Sequence, residues 1–593
     1  MASIFIIEPA YIGPHLHIFP AAGIIVSMTD ILDTLLIVFP VVYGLFARCA
    51  LPLLAVLIVW HCSLALLRPP RPRGGAPCPC LVLEGNAARL PLIYAENSIG
   101  RARTADITLD LPGVSRLHAV MSFRHKKGQW FITGIKSGGQ VCVNGVPAEG
   151  ETPVENYDKI TLSGVSLMFL ANDASGDDMA DSESIAQPRR RFIMRPGRVF
   201  TMITLFQAIG LPAILMRAAP GRRLVITAAL LLYIGFEWLY FALSRRYMSG
   251  DPPAVEATAF FLTGLGLMVT SACEPSLLTT QFLAAVSGVL IFAIMIWFLS
   301  DVNRVMKLRI PVGVAALILF AANLALGVTR YGAKNWMVIG GLSIQPSEII
   351  KVLFIYAGCA SLAKLETTRN LTRFMIFSLS CIAALFLMND FGTAAIYFVA
   401  FVILALMRSG DIRKIVGICA SAAVGGAMIV YFKPYIMRRF EAWGRVWDYA
   451  STSGYQQTRT LMYAASGGLL GMGPGLGYLK YVAAATTDLV FGILCEEWGL
   501  IIALSAVTLL VMVAVSVRAC VSSSRSAFHA MAACAAAGML LFQAGLNVFG
   551  STDILPLTGV TLPFISRGGS SMVACWALFA FIRSARAGGT PSD

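Results

Sequence analysis

Asp488 carries the clearest chemical promise in the chain. It follows Thr487 and opens an apolar segment, after a long polar break between Tyr431 and Trp498. That break holds Arg438, Arg439 and the run Ser466-Gly467-Gly468-Leu469-Leu470-Gly471-Met472-Gly473-Pro474-Gly475. A carboxylate close to hydrocarbon costs about 2.5–3.5 kcal/mol on insertion scales, so function is the default reading of one. An acid, two arginines and a glycine-rich wall together read as an active site facing outward. The glycine run suits hinge or packing use as well as close approach to a ligand.

A second constellation has the same character. Gly332-Ala333-Lys334-Asn335-Trp336 precedes Gln345-Pro346-Ser347-Glu348 and Lys351. Pro346 suits the first turn of a helix, where its missing N–H is no loss. Glu348 and Lys351 are three residues apart and share a helix face one turn inside the membrane. A buried structural ion pair and a site cation with its partner are both open. A common outer face with Asp488 favours the site.

The elements that position these groups are membrane helices. The chain has 593 residues, 57% of them hydrophobic and only 13% charged, with a mean hydropathy of +0.73. Long uncharged runs recur along most of it, which makes it a polytopic α-helical membrane protein. The net charge of +14 gathers in short loops, so it reports membrane orientation and excludes a nucleic-acid partner. Single cysteines inside apolar runs read as small buried thiols, and Cys78-Pro79-Cys80 is too tight for a zinc pair. Residues 1–70 form an amino-terminal anchor whose apolar region, Ile31 to Leu67, is one kinked span or a tight pair. It is too long and too far from the start for a cleavable signal peptide.

Further spans are expected at about 199–216, 224–243, 254–273, 280–299, 310–328, 346–363, 374–389, 391–408, 415–432, 488–517, 528–549 and 563–582. Arg245/Arg246, Arg304/Lys307/Arg309, Lys364/Arg369/Arg373, Arg408/Arg413/Lys414, Arg518/Arg525 and Arg583/Arg586 then all fall inside. Only Arg217, Arg222 and Arg223 break the pattern. This orientation brings 329–345, Asn389-Asp390, 433–487 and 550–562 together on the outer side.

Residues 81–170 change character to short alternating runs with turn dipeptides such as Asn144-Gly145, the pattern of a small β-sandwich. Ile99-Gly100-Arg101, Asp106-Ile107 and Val114-Ser115-Arg116-Leu117-His118-Ala119 resemble a forkhead-associated (FHA) domain, a phosphothreonine reader. The resemblance implies that Arg101 and Ser115 hold phosphate oxygens while His118 braces the loop carrying Ser115. Gly139 stands where that family has an asparagine. Residues 171–198 are an acidic, then arginine-rich, linker expected to be disordered, and the FHA-like sandwich is expected in the cytoplasm.

In the carboxyl-terminal half, Gly-Ala-x-x-Trp, Gln-Pro-Ser-Glu-x-x-Lys, Asp390-Phe391-Gly392-Thr393-Ala394 and Gly454-Tyr455-Gln456 occur in order. Ser466-Gly467-Gly468, Thr487-Asp488, Glu496-Glu497-Trp498-Gly499, Leu555-Pro556-Leu557-Thr558-Gly559 and Leu562-Pro563-Phe564-Ile565-Ser566-Arg567-Gly568-Gly569-Ser570-Ser571 follow. Together they resemble the SEDS family of RodA, FtsW and SpoVE. The resemblance implies a ten-span core over 254–586, with the spans in 199–246 as additions. It departs at Met388-Asn389, at Arg459, at Asp553, at Ala483, Ala484 and Thr486 just before Asp488, and at Arg567, where the family has tyrosine.

The activity implied is polymerisation of lipid II into glycan strands, for elongation, division or sporulation. A sugar 4-hydroxyl attacks an anomeric carbon with inversion, and a polyprenyl diphosphate leaves. Asp488 is the implied base, a role that contributes roughly 10²–10⁴-fold. Arg438, Arg439 and Lys351 are candidates to meet the diphosphate charge, and Glu348, Trp336, Ser566 and Ser570 complete the substrate-binding set. A divalent cation, Mg²⁺ or Mn²⁺, is a candidate cofactor. The implied partners are a class B penicillin-binding protein transpeptidase and, through the FHA-like domain, phosphothreonine proteins and a Ser/Thr kinase. A lipid II flippase and a non-catalytic division scaffold are the rival readings.

Overall fold

The computed structural model describes residues 28–67, 79–84, 89–92, 96–101, 105–111, 113–124, 129–135, 140–148, 150–171, 196–247, 253–330, 332–363, 367–432, 437, 440–523 and 526–586. The amino-terminal apolar region is a single 39-residue helix, α1 (Met28–Leu66), of which Val38–Leu66 is long and apolar enough to cross a membrane. The choice between one span and a tight pair falls to one, since no turn chemistry interrupts the run. The linker residues 172–195 lie outside the described residues.

The β-region holds eleven strands: β1 (Cys80–Leu83), β2 (Arg89–Pro91), β3 (Glu96–Gly100), β4 (Ile107–Thr108), β5 (Ala119–Arg124), β6 (Gln129–Gly134), β7 (Val141–Val143), β8 (Val146–Pro147), β9 (Glu151–Val154), β10 (Lys159–Leu162) and β11 (Val165–Leu170). They form two sheets, ordered β2-β1-β11-β10-β7-β8 and β4-β3-β5-β6-β9. Alternate residues such as Leu81, Ile99, Met121, Ile132, Ile160 and Phe169 fill the core between them, as period-2 patterning requires. Asn144 and Gly145 take positive φ in the β7–β8 hairpin, the signature expected of Asn-Gly.

Nine helices among the described residues are long and apolar enough to cross a membrane. After α2 (Pro196–Leu215) and α3 (Pro220–Tyr247) come α4 (Ala254–Cys273), α5 (Leu278–Leu299), α6 (Val302–Lys307), α7 (Arg309–Leu326), α8 (Pro346–Leu362), α9 (Thr367–Leu387), α10 (Phe391–Ser409) and α11 (Ile412–Phe432). Helices Leu500–Ser523, Ala527–Ser551 and Gly569–Arg586 follow. α4 is buried along almost its whole length. Trp576 of the terminal helix packs edge-on against Phe260 at 5.0 Å and Phe292 at 5.4 Å, an aromatic cluster that locks α4, α5 and that helix together. α3 meets α4 through Tyr233 Oη, which donates to the Phe260 carbonyl at 3.2 Å, and α2 meets α3 through a buried polar contact. Gln207 Nε2 donates to Glu237 Oε1 at 2.8 Å, and both side chains are fully buried.

Two ends of this bundle differ chemically. At one, Arg583 Nε donates to Glu256 Oε1 at 2.7 Å, and Arg586 Nη1 donates to the Leu66 carbonyl at 2.9 Å. A guanidinium on the last carbonyls of α1 is the favourable arrangement for a helix carboxyl end. At the other end a three-stranded antiparallel sheet connects α7 to α8: β12 (Val328–Arg330), β13 (Ala333–Ile339) and β14 (Leu342–Ile344). The turn between α2 and α3, with Arg217, Arg222 and Arg223, also lies toward this second end. A Cβ built on Gly475 there would stand 3.5 Å from Arg217 Cβ.

One expected span is corrected. The apolar stretch 488–517 is not one helix: it breaks into Val490–Ile493, a π-turn Leu494–Trp498, and Leu500–Ser523. The break sits at Gly499, whose φ of +89° and close approach to the Leu469 carbonyl only glycine accommodates. Helix Tyr455–Gly467 and the glycine run pack against that break. Packing, rather than hinge or ligand contact, is therefore what the glycines supply.

Candidate functional site

A cavity of about 1330 Å³ opens at the end of the bundle that carries the β12–β14 sheet. Asp488, Asp390, Glu274, Trp336, Ser570, Arg567 and Lys480 are among the residues lining it. Asp488 is half-buried and sits in the turn leading to Val490–Ile493. Its amide donates to the Ala484 carbonyl at 2.8 Å, and its own carbonyl accepts from Asn547 Nδ2 at 2.9 Å. The same Asn547 nitrogen donates to the Val560 carbonyl at 2.7 Å, which pins the two cavity loops together. Gly559 lies against the acid: a Cβ there would stand 3.4 Å from Asp488 Oδ2.

The residues before Asp488 are gripped in succession. Ser566 Oγ donates to the Thr487 carbonyl while accepting from the Leu562 amide. The Arg567 amide donates to the Thr486 carbonyl at 2.9 Å. Arg567 Nε also donates to Thr486 Oγ1 at 3.1 Å and pairs with Glu274 Oε2 at 2.6 Å. Ser566 is only 3% exposed. The expectation that it touches substrate is corrected: its hydroxyl is consumed in holding the loop.

The glycine run is held by two acids in the π-turn. Glu497 accepts from the amides of Gly475 and Gly477, and Glu496 from those of Tyr478 and Leu479. Four backbone N–H groups on two buried carboxylates are charge-assisted bonds. They fix the segment that delivers Lys480 to the cavity. Sequence reasoning noted these glutamates as a motif and gave them no task.

The Glu348–Lys351 pair requires a second correction. Lys351 Nζ donates to Glu348 Oε1 and to Gln543 Oε1, both at 2.8 Å, and the two ionised side chains are 1% and 6% exposed. Neither lines the cavity. They lie beneath its floor, one relay away: Gln543 Nε2 donates to Thr561 Oγ1, which shares a hydrogen bond with Ser571 Oγ at 2.8 Å. Depth along α8 decides this, and i,i+3 spacing fixes the face without fixing the depth.

Asp390 caps α10 through the Thr393 amide and accepts from Asn335 Nδ2 and Gln345 Nε2. It fastens the small sheet, and with it Trp336, over the cavity. Ser570 Oγ accepts from the Gln345 amide at 3.4 Å across the same wall. Arg438 and Arg439 lie outside the described residues. Among the described residues the cavity's cations are Lys480 and Arg567. No three acidic, histidine or cysteine side chains gather there as a metal cage, and Asp390 and Glu274 are engaged by protein groups.

In the β-sandwich, the Arg101 amide donates to the Ser115 carbonyl at 2.9 Å, and the Ser115 amide donates to His118 Nδ1 at 3.1 Å. His118 is fully buried and Arg101 is exposed. Gly100 is obligatory, since a Cβ would come within 2.3 Å of the Arg116 carbonyl oxygen. The three expected residues are thus brought together. Gly139 lies outside the described residues.

Comparison with known proteins adds the following. Residues 263–588 match the family model of FtsW, RodA and SpoVE, described as cell cycle protein. Residues 97–163 match the FHA domain. A Borreliella burgdorferi protein named probable peptidoglycan glycosyltransferase FtsW is 30% identical over 290 residues, covering 48% of this chain and 79% of that protein. The Mycobacterium tuberculosis peptidoglycan glycosyltransferase RodA is 27% identical over 372 residues, covering 57% and 78%. A chain from a structural study of polymerisation and crosslinking by a peptidoglycan synthase complex aligns at 25% identity and TM-score 0.48, covering 56% of this chain and 96% of that one.

Proposed function

The chain belongs to the FtsW, RodA and SpoVE family, and on that premise we propose that it is a peptidoglycan glycosyltransferase polymerising lipid II. The observation that carries the proposal is Asp488, half-buried in the wall of a roomy cavity, with its backbone anchored to Ala484 and Asn547. A base must be positioned beside the acceptor hydroxyl, and an anchored backbone at the cavity wall supports that role. In the reaction Asp488 takes the proton of an acceptor 4-hydroxyl as that oxygen attacks the anomeric carbon of the donor. The bond from that carbon to the diphosphate breaks, and its electron pair leaves with the diphosphate. The leaving group needs no proton, so one carboxylate suffices. Trp336 offers an apolar face to a sugar ring, and the floor relay from Lys351 to Ser571 keeps the opposite wall polar.

The distribution of charge supports an outward-facing cavity. Arg583 and Arg586 end the terminal helix whose first turn, Ser570 and Ser571, lines the cavity. Cations collect on the inner side of a membrane, which supports an outward-facing cavity. Arg586 also grips the end of α1, from which the chain runs into the FHA-like domain, which supports a cytoplasmic position for that domain. There it reads phosphothreonine proteins made by a Ser/Thr kinase, and the membrane core works beside a crosslinking transpeptidase.

Two experiments test this. Purified chain in proteoliposomes, given lipid II on the outer side alone, should produce glycan polymer; movement of lipid II across the bilayer without polymer would favour a flippase. Arg101→Ala should lower affinity for a phosphothreonine peptide by roughly 10–100-fold, the range for a lost charge-assisted bond, measured by calorimetry with the unphosphorylated peptide alongside. Equal binding of both peptides by the unaltered chain would refute the reader role.

A further inference from the structure

We propose that Arg567 is the group that receives the leaving diphosphate, and that Glu274 and Thr486 exist in this chain to aim it. This rests on the polymerase reading above and names the residue that meets the substrate's charge.

The geometry is specific. Arg567 lines the cavity with its side chain 32% exposed, and it uses Nε for both Glu274 Oε2 and Thr486 Oγ1. Thr486 Oγ1 in turn donates to Glu274 Oε2 at 2.9 Å. Two groups from two distant segments therefore fix one guanidinium plane. Nη1 and Nη2 make no hydrogen bond among the described residues. A planar guanidinium held along one edge keeps its terminal N–H groups for a bidentate contact with phosphate oxygens.

The position relative to the base is right for the donor's diphosphate. Thr486 is two residues from Asp488, which limits their Cα separation to about 7 Å. In an inverting displacement the breaking carbon–oxygen bond lies opposite the attacking oxygen, so the first phosphate sits a few ångströms beyond the attacked carbon. The acceptor's own diphosphate lies two sugar rings farther away. As the 4-hydroxyl proton passes to Asp488 and the new bond forms, one negative charge moves onto the diphosphate, and Arg567 is the cation placed to meet it. The half-exposed pair with Glu274 contributes little to stability, so its use as an aiming device is the better account of it. Lys480 lines the same cavity but spends Nζ on the Gly475 carbonyl at 2.6 Å.

The test uses the full chain with lipid II and, separately, with a polyprenyl diphosphate as probe. Arg567→Gln should lower kcat/KM roughly 10–100-fold, as for a lost bond to a charged group, with the loss mainly in kcat because the charge develops in the transition state. Arg567→Lys should recover part of it. Protection against thermal unfolding by the polyprenyl diphosphate should weaken by a similar factor in Arg567→Gln, while the uncharged polyprenol should act equally on both proteins. Unchanged kcat and unchanged protection would overturn the assignment. So would recovery of activity in Arg567→Gln/Glu274→Gln, which would make Arg567 a mere counter-ion. If the unaltered chain binds the diphosphate through Arg567 yet makes no polymer, the polymerase reading fails and this site stands.

Discussion

Asp488→Asn should abolish glycan synthesis while leaving the protein folded. The substitution keeps the shape and volume of the side chain and removes only its capacity to take a proton. Loss of a positioned base removes roughly 10²–10⁴ of rate, so residual polymer should fall to the limit of a gel-based assay. Folding should survive because the substitution keeps the side chain's shape and leaves the backbone bonds to Ala484 and Asn547 in place. Thermal unfolding of the variant should therefore overlay the parent, and lipid II should still bind. Polymer made at the parental rate by Asp488→Asn would reject the base. Asp488→Ala adds a check on packing against Gly559 and should be equally inactive.

The second large effect concerns stability. Lys351→Ala should destabilise the membrane core by about 3–5 kcal/mol, the cost of stripping the partner from a buried ion. Glu348 has no substitute partner, since its Oε2 already makes no hydrogen bond among the described residues. Gln543 would lose its second partner as well. The contrasting variant is Lys351→Met with Glu348→Leu, in which both charges go and the volume stays. Replacing a buried pair this way is commonly neutral or stabilising, so its unfolding midpoint should return to the parental value. If it also regains activity, the pair is a structural brace. If it folds but makes no polymer, the relay through Gln543, Thr561 and Ser571 orders the cavity floor. Parental stability in Lys351→Ala would contradict the buried geometry.

Hydropathy and turn chemistry made much of this molecule legible. Long uncharged runs become helices because a membrane leaves the backbone no other way to satisfy itself. The Asn144-Gly145 turn and the alternating strands around it made the β-sandwich equally plain. Three features were not legible, each for a definite reason. The break at Gly499 hides inside an unbroken apolar run, because hydropathy is blind to a positive φ. The burial of Lys351 depends on neighbouring helices, which spacing along α8 does not report. The grip of Arg567 on Thr486 joins residues 81 apart in sequence, and Arg567 entered the sequence reading only as a departure from the family pattern. Ser566 was misjudged for a related reason: a hydroxyl in a serine- and glycine-rich loop looks available until its bond to the Thr487 carbonyl is seen.

The paired grip of Ser566 and Arg567 on Thr487 and Thr486 has a practical corollary for chimaeras. Each segment is braced by the other as well as by its own turn, so they should be inherited as a unit. Grafting a relative's 483–488 stretch alone would leave Arg567 and Glu274 without the Thr486 hydroxyl that both contact, whereas moving 562–568 with it would carry both halves of the clasp.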